Sequence, residues 1–288
     1  MSNLTQRILV ALVAIPVIVF CCLSGGIAFF ALIALISSLA LHEYYMLAKR
    51  KGAAPQTVVG LAVGVVVCGA FLWPRFRSTA ASLGIVMPAA SSAQAVMAVL
   101  LLAAPLVLMI ELFRKKGAAL MNMATTLFGI WYVPLFLGSL IGVREMFSEE
   151  DEYARGGALV LTLFVSLWVC DSLAYFAGRL FGKHKMVLRI SPHKTWEGAC
   201  AGFIGAVAVF VVAQHYFLPF LSGGNAFICG SLVGVVGQAG DLAESLLKRD
   251  SGVKDSSALI PGHGGALDRF DSLIVISPVL FLYLRLVV

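Results

Sequence analysis

The residues best suited to chemistry lie close together in one polar stretch near the C-terminus, residues 241–272, with the sequence DLAESLLKRDSGVKDSSALIPGHGGALDRFDS. Its cations are charge-assisted donors for phosphate oxygens, and they are Lys248, Arg249, Lys254 and Arg269. Three glycines flank His263, and glycines let backbone amides approach an anion closely: Gly262, Gly264 and Gly265. This combination of donors predicts a phosphate-binding site.

Carboxylates in the same stretch offer ligands for a hard cation. Asp268 and Asp271 lie three residues apart at the start of an expected helix, where they can share Mg²⁺, which prefers carboxylate, water and phosphate oxygens. The alternative is that they cap this helix, because negative charge is favoured at a helix N-terminus. Asp241 lies within an apolar helix, with Ser245 and Lys248 on the same stripe. A structural Asp241–Lys248 ion pair is the alternative to a functional Asp241.

A second polar region covers residues 168–198. Asp171 is another carboxylate inside an apolar helix, and such groups usually face a cavity or a partner. Within the segment SPHKTWEG, residues 191–198, the run from Ser191 to Glu197 predicts the entry of a helix, because Pro192 suits a first turn and a free helix N-terminus suits anions. The lysines of the preceding GKHK segment are better explained as ordinary positive charge beside a membrane.

The composition defines the setting of these two regions. Of 288 residues, 60% are hydrophobic and 12% are charged, and apolar runs near the roughly 20 residues needed to cross a bilayer recur throughout. We therefore predict an all-α fold, a polytopic integral membrane helical bundle with about nine transmembrane helices. The predicted spans are 8–24, 27–47, 57–73, 93–113, 120–143, 157–178, 198–220, 225–247 and 272–288.

The distribution of charge predicts the orientation. With a cytoplasmic N-terminus, most of the 21 Lys and Arg residues fall in cytoplasmic segments, as the positive-inside rule requires, and both polar regions face the cytoplasm. The net charge of +6 therefore fits a membrane topology better than a nucleic-acid-binding face. We expect residues 1–288 to form a single membrane-embedded unit, with scaffold spans in 1–150 and the active site in 151–288. The six cysteines are expected to be buried thiols rather than disulfides or metal ligands.

The two polar regions together resemble the phosphatidate cytidylyltransferases, or CDP-diacylglycerol synthases. The C-terminal match, residues 245–271, is SLLKR-x4-KD-x5-PGHGG-x2-DRFD. The earlier match is DSLAY, residues 171–175, with SPHKTWEG. Length and the many spans agree, so the resemblance covers essentially the whole chain. Ala266 stands where the family usually has a larger aliphatic residue, a departure that removes no polar group.

This resemblance implies a nucleotidyltransferase of phospholipid biosynthesis that converts CTP and phosphatidate to CDP-diacylglycerol and pyrophosphate with Mg²⁺; a second, monovalent cation is left open. The lipid phosphate attacks the α-phosphorus of CTP, so the protein supplies positioning and charge stabilisation rather than a nucleophile. The implied metal ligands are Asp241, Asp268 and Asp271, with Asp171 nearby. The implied catalytic residues are Asp241, Lys248, Asp268 and Arg269. The implied substrate-binding residues are Ser191, Lys194, Ser245, Arg249, Lys254, His263, Gly264 and Gly265.

The expected location is the cell inner (cytoplasmic) membrane, with the active site facing the cytoplasm, so that CTP arrives from water and phosphatidate from the leaflet. The expected partners are these substrates, the bilayer and a second copy of the chain in a homodimer, and no nucleic acid. Two alternatives stay open: a related polyprenol kinase that transfers the γ-phosphoryl group of CTP, and a transporter with carboxylates in its spans. A CDP-alcohol phosphotransferase is disfavoured, because the DGxxAR-type motif is absent.

Overall fold

A computed structural model of the chain describes residues 3–147, 149, 151–259 and 264–288, with side chains from residue 8 onward. These residues are mostly helical, which confirms the all-α prediction. They divide into two compact units: Met1–Met146 with Asp255–Leu267, and Phe147–Lys254 with Asp268–Val288. The first break lies near the predicted division at residue 150, whereas Asp255–Leu267 groups with the N-terminal residues. The two are called the N-terminal unit and the C-terminal unit below.

The described residues of the N-terminal unit up to Arg144 form seven helices. They are α1 (Asn3–Ser24), α2 (Gly26–Arg50), α3 (Thr57–Ala70), α4 (Trp73–Ser82), α5 (Ser92–Leu112), α6 (Ala119–Ile130) and α7 (Phe136–Arg144). A π-helical turn, Trp131–Leu135, joins α6 to α7 and contains Pro134, which has no backbone N–H to donate. Helix α5 begins at a capping box in which the Ser91 side chain accepts from Gln94 N while the Gln94 side chain accepts from Ser91 N.

A buried polar network centred on Glu111 holds the end of α5 in this unit. Its carboxylate accepts hydrogen bonds from Gln56 Nε2 at 2.7 Å and from Asn122 Nδ2 at 2.8 Å. Arg114 NH1 donates to the same carboxylate at 2.7 Å. Because the negative charge of Glu111 is met by a cation and two amides, it is tolerated inside an apolar unit.

The C-terminal unit contains the remaining elements. They are α8 (Tyr153–Phe181), β1 (Lys185–Val187), β2 (Ser191–Thr195), α9 (Trp196–Tyr216), α10 (Gly223–Leu232), α11 (Gln238–Asp250) and α12 (Ala266–Val287), whose first two residues group with the N-terminal unit. Helices α8 and α9 pack with their backbones in close approach. A Cβ on Gly198 would lie 2.6 Å from Ala174 O, and one on Gly202 would lie 2.8 Å from Cys170 O. Small residues at such contacts are typical of helices that associate in lipid.

The predicted helix entry at 191–197 is wrong. Residues Ser191–Thr195 form strand β2, which pairs antiparallel with β1 so that Lys185 lies opposite Thr195 and Val187 opposite Ser191. Pro192 is tolerated because each strand of a two-stranded ribbon is an edge strand. Helix α9 begins one residue later, at Trp196, and is capped by the Thr195 hydroxyl, which accepts from Gly198 N at 3.2 Å.

Among the described residues, seven helices are long and apolar enough to cross a membrane: α2, α5, Ala119–Arg144, α8, α9, Gly223–Asp250 and α12. Helices α3 and α4 would make an eighth span, but the chain bends by 74° between them. The predicted span 8–24 lies within α1 (Asn3–Ser24), whose described side chains form the apolar segment Ile8–Ser24. The chain is therefore a multi-pass membrane protein, and its described residues supply seven or eight helices able to cross a membrane by length and composition, close to the predicted nine.

Candidate active site

Three carboxylates of the C-terminal unit come together around Lys194. Lys194 Nζ lies 2.6 Å from Asp241 Oδ2. Asp171 and Asp271 both lie within electrostatic range of Asp241 and of Lys194. Asp171 is exposed, and Asp241 and Asp271 are half-buried, so a ligand can reach the group. We call Asp171, Asp241, Asp271 and Lys194 the carboxylate cluster.

Close backbone packing and a π-helical turn position the cluster. The π turn, Val233–Gly237, precedes α11, and the side chain of Gln238 donates from Nε2 to Gly234 O at 2.6 Å and to Ala199 O at 3.1 Å. Asp241 therefore begins a well-anchored turn. A Cβ on Gly240 would lie 2.9 Å from Asp271 O, so glycine at this position lets α11 and α12 approach closely enough to bring Asp241 near Asp271.

The cluster suits a divalent cation by the chemistry of its donors. Its three carboxylates outnumber its single lysine, and hard cations prefer carboxylate oxygens. Among the residues that the structure describes, no three Asp, Glu, His or Cys side chains form a ready-made metal site. Mg²⁺ commonly binds through one or two carboxylates, its own waters and substrate phosphates, so this donor set fits Mg²⁺ in that mode.

Lys248 belongs to a second, more buried ion group in the same unit. Its Nζ lies 2.6 Å from Glu244 Oε2 and 2.6 Å from Asp268 Oδ1. The side chains of Lys248, Glu244 and Asp268 are 11%, 0% and 6% exposed. The alternative of an Asp241–Lys248 ion pair is wrong, because Asp241 pairs with Lys194. The predicted helical stripe is nevertheless present, since Ser245 Oγ donates to Asp241 Oδ1 at 3.3 Å.

The strands β1 and β2 form a hairpin that carries Lys194 and Ser191, and two contacts hold it. Arg249, predicted to bind substrate, donates from Nε to Ile190 O at 3.2 Å and from NH1 to Val253 O at 3.0 Å. His184 Nδ1 lies 2.6 Å from Glu197 Oε1 in the first turn of α9. In this structure Arg249 therefore ties the hairpin turn to the end of α11.

The remaining predicted residues differ in what the structure says of them. Lys254 and Arg269 are exposed, and Arg269 lies within electrostatic range of Asp171. Gly264 has φ of 83°, a left-handed conformation that favours glycine. His263 lies outside the described residues.

Gly264 and Gly265 belong to the N-terminal unit, where Gly265 packs against a residue that the sequence analysis missed. A Cβ on Gly265 would overlap Ser256 Oγ and the carboxylate of Glu43. Glu43 lies in α2 and is 3% exposed. The only signal of it in the sequence is a carboxylate within a predicted apolar span, which is costly unless it has a role.

Comparison with known proteins covers nearly the full chain. Residues 5–287 match a family model described as the cytidylyltransferase family. A Bacillus subtilis protein named phosphatidate cytidylyltransferase is 33% identical over 99% of this chain and 99% of its own length. A Synechocystis protein of the same name is 31% identical over 98% of this chain and 97% of its own. One from Haemophilus influenzae is 44% identical over 50% of this chain and 51% of its own.

Proposed function

The chain belongs to the cytidylyltransferase family, and from this membership we propose that it is a phosphatidate cytidylyltransferase. In this reaction CTP and phosphatidate give CDP-diacylglycerol and pyrophosphate. The observation that supports it best is the carboxylate cluster, in which a lysine able to bind phosphate lies among carboxylates able to hold Mg²⁺. The long apolar helices suit an enzyme whose second substrate is a membrane lipid.

The chemistry requires positioning more than a protein nucleophile. An oxygen of the lipid phosphate attacks the α-phosphorus of CTP; the bond from that phosphorus to the β-phosphate oxygen breaks, and pyrophosphate leaves with the electron pair. Lys194 binds the lipid phosphate, and Asp241 holds its ammonium group in place at 2.6 Å before the substrate arrives. Arg269 and Lys254, both exposed, are the cations that we assign to the CTP phosphates or the departing pyrophosphate.

Mg²⁺ is the proposed cofactor, held by Asp241 and Asp271 with Asp171 beside them. When bound, it offsets negative charge on the phosphates of CTP. Asp268, the other predicted ligand, contacts Lys248 instead, so its proposed role is to orient Lys248. This division of roles follows from which side chains lie together.

The orientation and assembly of the protein are part of the same proposal. We place the active site at the cytoplasmic face of the cell inner membrane, because most cations fall on one side of the predicted spans and CTP is a cytosolic nucleotide. A homodimer remains the expected assembly.

The test is a labelling experiment with purified protein, phosphatidate and Mg²⁺. We expect the label of cytidine-labelled CTP to enter a chloroform-soluble product, and the label of γ-phosphate-labelled CTP to stay in the aqueous phase. The reverse pattern would indicate a lipid kinase and refute the proposal.

A matched pair of variants tests the site. Asp241→Asn removes a charge from the carboxylate cluster and should lower kcat at least about a hundredfold, because it takes away both a proposed metal ligand and the partner of Lys194. Asp151→Asn makes the same change on an exposed residue of the same unit outside the cluster and should stay within about twofold of the unsubstituted protein. Equal activity of the two variants would remove the cluster from the mechanism.

A further inference from the structure

The carboxylate of Glu43 gathers four hydrogen-bond donors from two separate parts of the chain. Ser256 Oγ donates to Oε2 at 2.8 Å, and Ser257 Oγ donates to Oε1 at 2.6 Å. The backbone amides of Ala266 and Leu267, at the start of α12, donate to Oε1 and Oε2 at 3.0 and 2.8 Å. Each carboxylate oxygen therefore accepts one hydroxyl and one amide.

This arrangement exceeds what a helix cap requires. A capping side chain ordinarily satisfies one or two amides of the first turn. Glu43 does so, but it also takes two hydroxyl groups from residues that precede the helix in the chain. Because hydrogen bonds to a charged group in a buried place are among the stronger ones, the carboxylate holds both parts of the chain in a single geometry.

Glu43 lies on a rigid support. The neighbouring Tyr45 is fully buried, and its hydroxyl donates to Thr126 O at 3.0 Å. A Cβ on Gly60 or Gly129 would overlap the Tyr45 ring, so glycine at both positions leaves the ring its place. Helix α2 is thereby held against α3 and α6, and a carboxylate on such an element is placed more precisely than one on a loop.

Gly265 completes this arrangement, since a side chain there would overlap both Glu43 and Ser256. The predicted role of Gly265 was to let the backbone approach a substrate anion. In the structure its missing side chain also leaves room for the Glu43 carboxylate. Glycine at this position thus permits a close contact within the protein.

We propose that Glu43 is a positioning residue for nucleotide binding: it fixes Ser256, Ser257 and the first amides of α12, and thereby the backbone at Gly264 and Gly265, the glycines predicted to let amides approach a phosphate. This inference rests on the proposed function, because the nucleotide is CTP only if that function is correct. Glu43 itself touches no substrate. Removing the Glu43 carboxylate should therefore raise the KM for CTP more than the KM for phosphatidate.

The test compares two substitutions of buried carboxylates in the same unit. In Glu43→Gln, one oxygen becomes an NH₂ group that faces a hydroxyl and a backbone amide; the hydroxyl can rotate to accept, but the amide N–H cannot. We expect the KM for CTP to rise about tenfold while the KM for phosphatidate stays within about twofold. Glu111→Gln is the control, because it neutralises a carboxylate that contacts none of these groups.

Two more variants separate positioning from general stability. Glu43→Asp keeps the charge and should recover part of the affinity for CTP, and the double variant Ser256→Ala/Ser257→Ala should raise the KM for CTP without altering the carboxylate. Circular dichroism melts in detergent identify any variant that fails to fold. If Glu43→Gln and Glu111→Gln change both KM values alike, or if Glu43→Gln changes only the melt, the inference is wrong while the proposed function stands. Inactive unsubstituted protein would refute the function first.

Discussion

Replacing Lys248 with methionine should destabilise the protein strongly, because the ammonium group is shared by two buried carboxylates. Its Nζ lies 2.6 Å from Glu244 and 2.6 Å from Asp268, and both carboxylate side chains are 6% exposed or less. Methionine keeps most of the aliphatic stem but removes the charge. The carboxyl groups of Glu244 and Asp268 then stay buried without their common partner.

The expected loss follows from the cost of breaking a buried ion pair, about 3–5 kcal/mol when one partner is removed. At about 2–4 °C per kcal/mol, this corresponds to a melting temperature lower by roughly 6–20 °C. Glu244→Gln should cost far less, since it leaves a neutral Lys248–Asp268 pair. Combining it with Lys248→Met should recover part of the loss, because only one buried carboxylate then remains.

The assay is a double-mutant cycle by thermal unfolding in detergent, followed by circular dichroism. A restoring effect of Glu244→Gln in the Lys248→Met background is the signature of electrostatic coupling. Two results would refute the reasoning. One is a Lys248→Met protein with the same melting temperature as the unsubstituted protein, and the other is a double variant that is less stable than Lys248→Met alone.

Three further predictions concern the C-terminal unit. Asp171→Asn removes one of three mutually repelling carboxylates, so it should raise the melting temperature in Mg²⁺-free buffer. The same substitution should lower kcat at least about tenfold. A variant that is less stable than the unsubstituted protein would contradict this. Gly198→Ala places a methyl group against Ala174 O and should cost about 1–3 kcal/mol in unfolding free energy, whereas Ala199→Gly is the control for backbone flexibility. Thr195→Val removes the cap of α9 and should cost about 1 kcal/mol, which Thr195→Ser should largely restore; equal melts of the two variants would exclude the cap.

The helices were predictable because long apolar runs have few other structures available in lipid. The bend between α3 and α4 was not, because mean hydropathy reports length and polarity but not direction. The hairpin of β1 and β2 was also missed. Its strands have three and five residues, and a ribbon this short depends on contacts made elsewhere, such as that of Arg249 with Ile190.

The sequence indicated which residue types form the candidate site better than it indicated which of them form ion pairs with each other. The carboxylates and cations were identified from their types, but seven residues along a helix span about 10.5 Å, too far for Asp241 to contact Lys248 directly. The spacing of four between Glu244 and Lys248 is the one that favours an ion pair, and the structure contains it. The partner of Asp241 is Lys194, which no local rule indicates.

Glu43 shows the limit of local reasoning most clearly. Its four donors lie more than two hundred residues away in the chain, so no spacing rule connects them. The sequence shows only an acidic residue in an apolar helix, a pattern that indicates a role without naming the partner.

Helix α3 is short compared with the thickness of a lipid bilayer. Its 14 residues span about 21 Å, whereas the hydrocarbon core of a typical membrane is about 30 Å thick. Val58 and Val66 are exposed along this short helix, so the apolar wall it offers to lipid is shallow. We expect lipid tails beside α3 to compress or tilt, at a cost that grows with acyl-chain length. Membranes of short or unsaturated chains therefore accommodate this flank of the protein with less strain than thick, ordered ones.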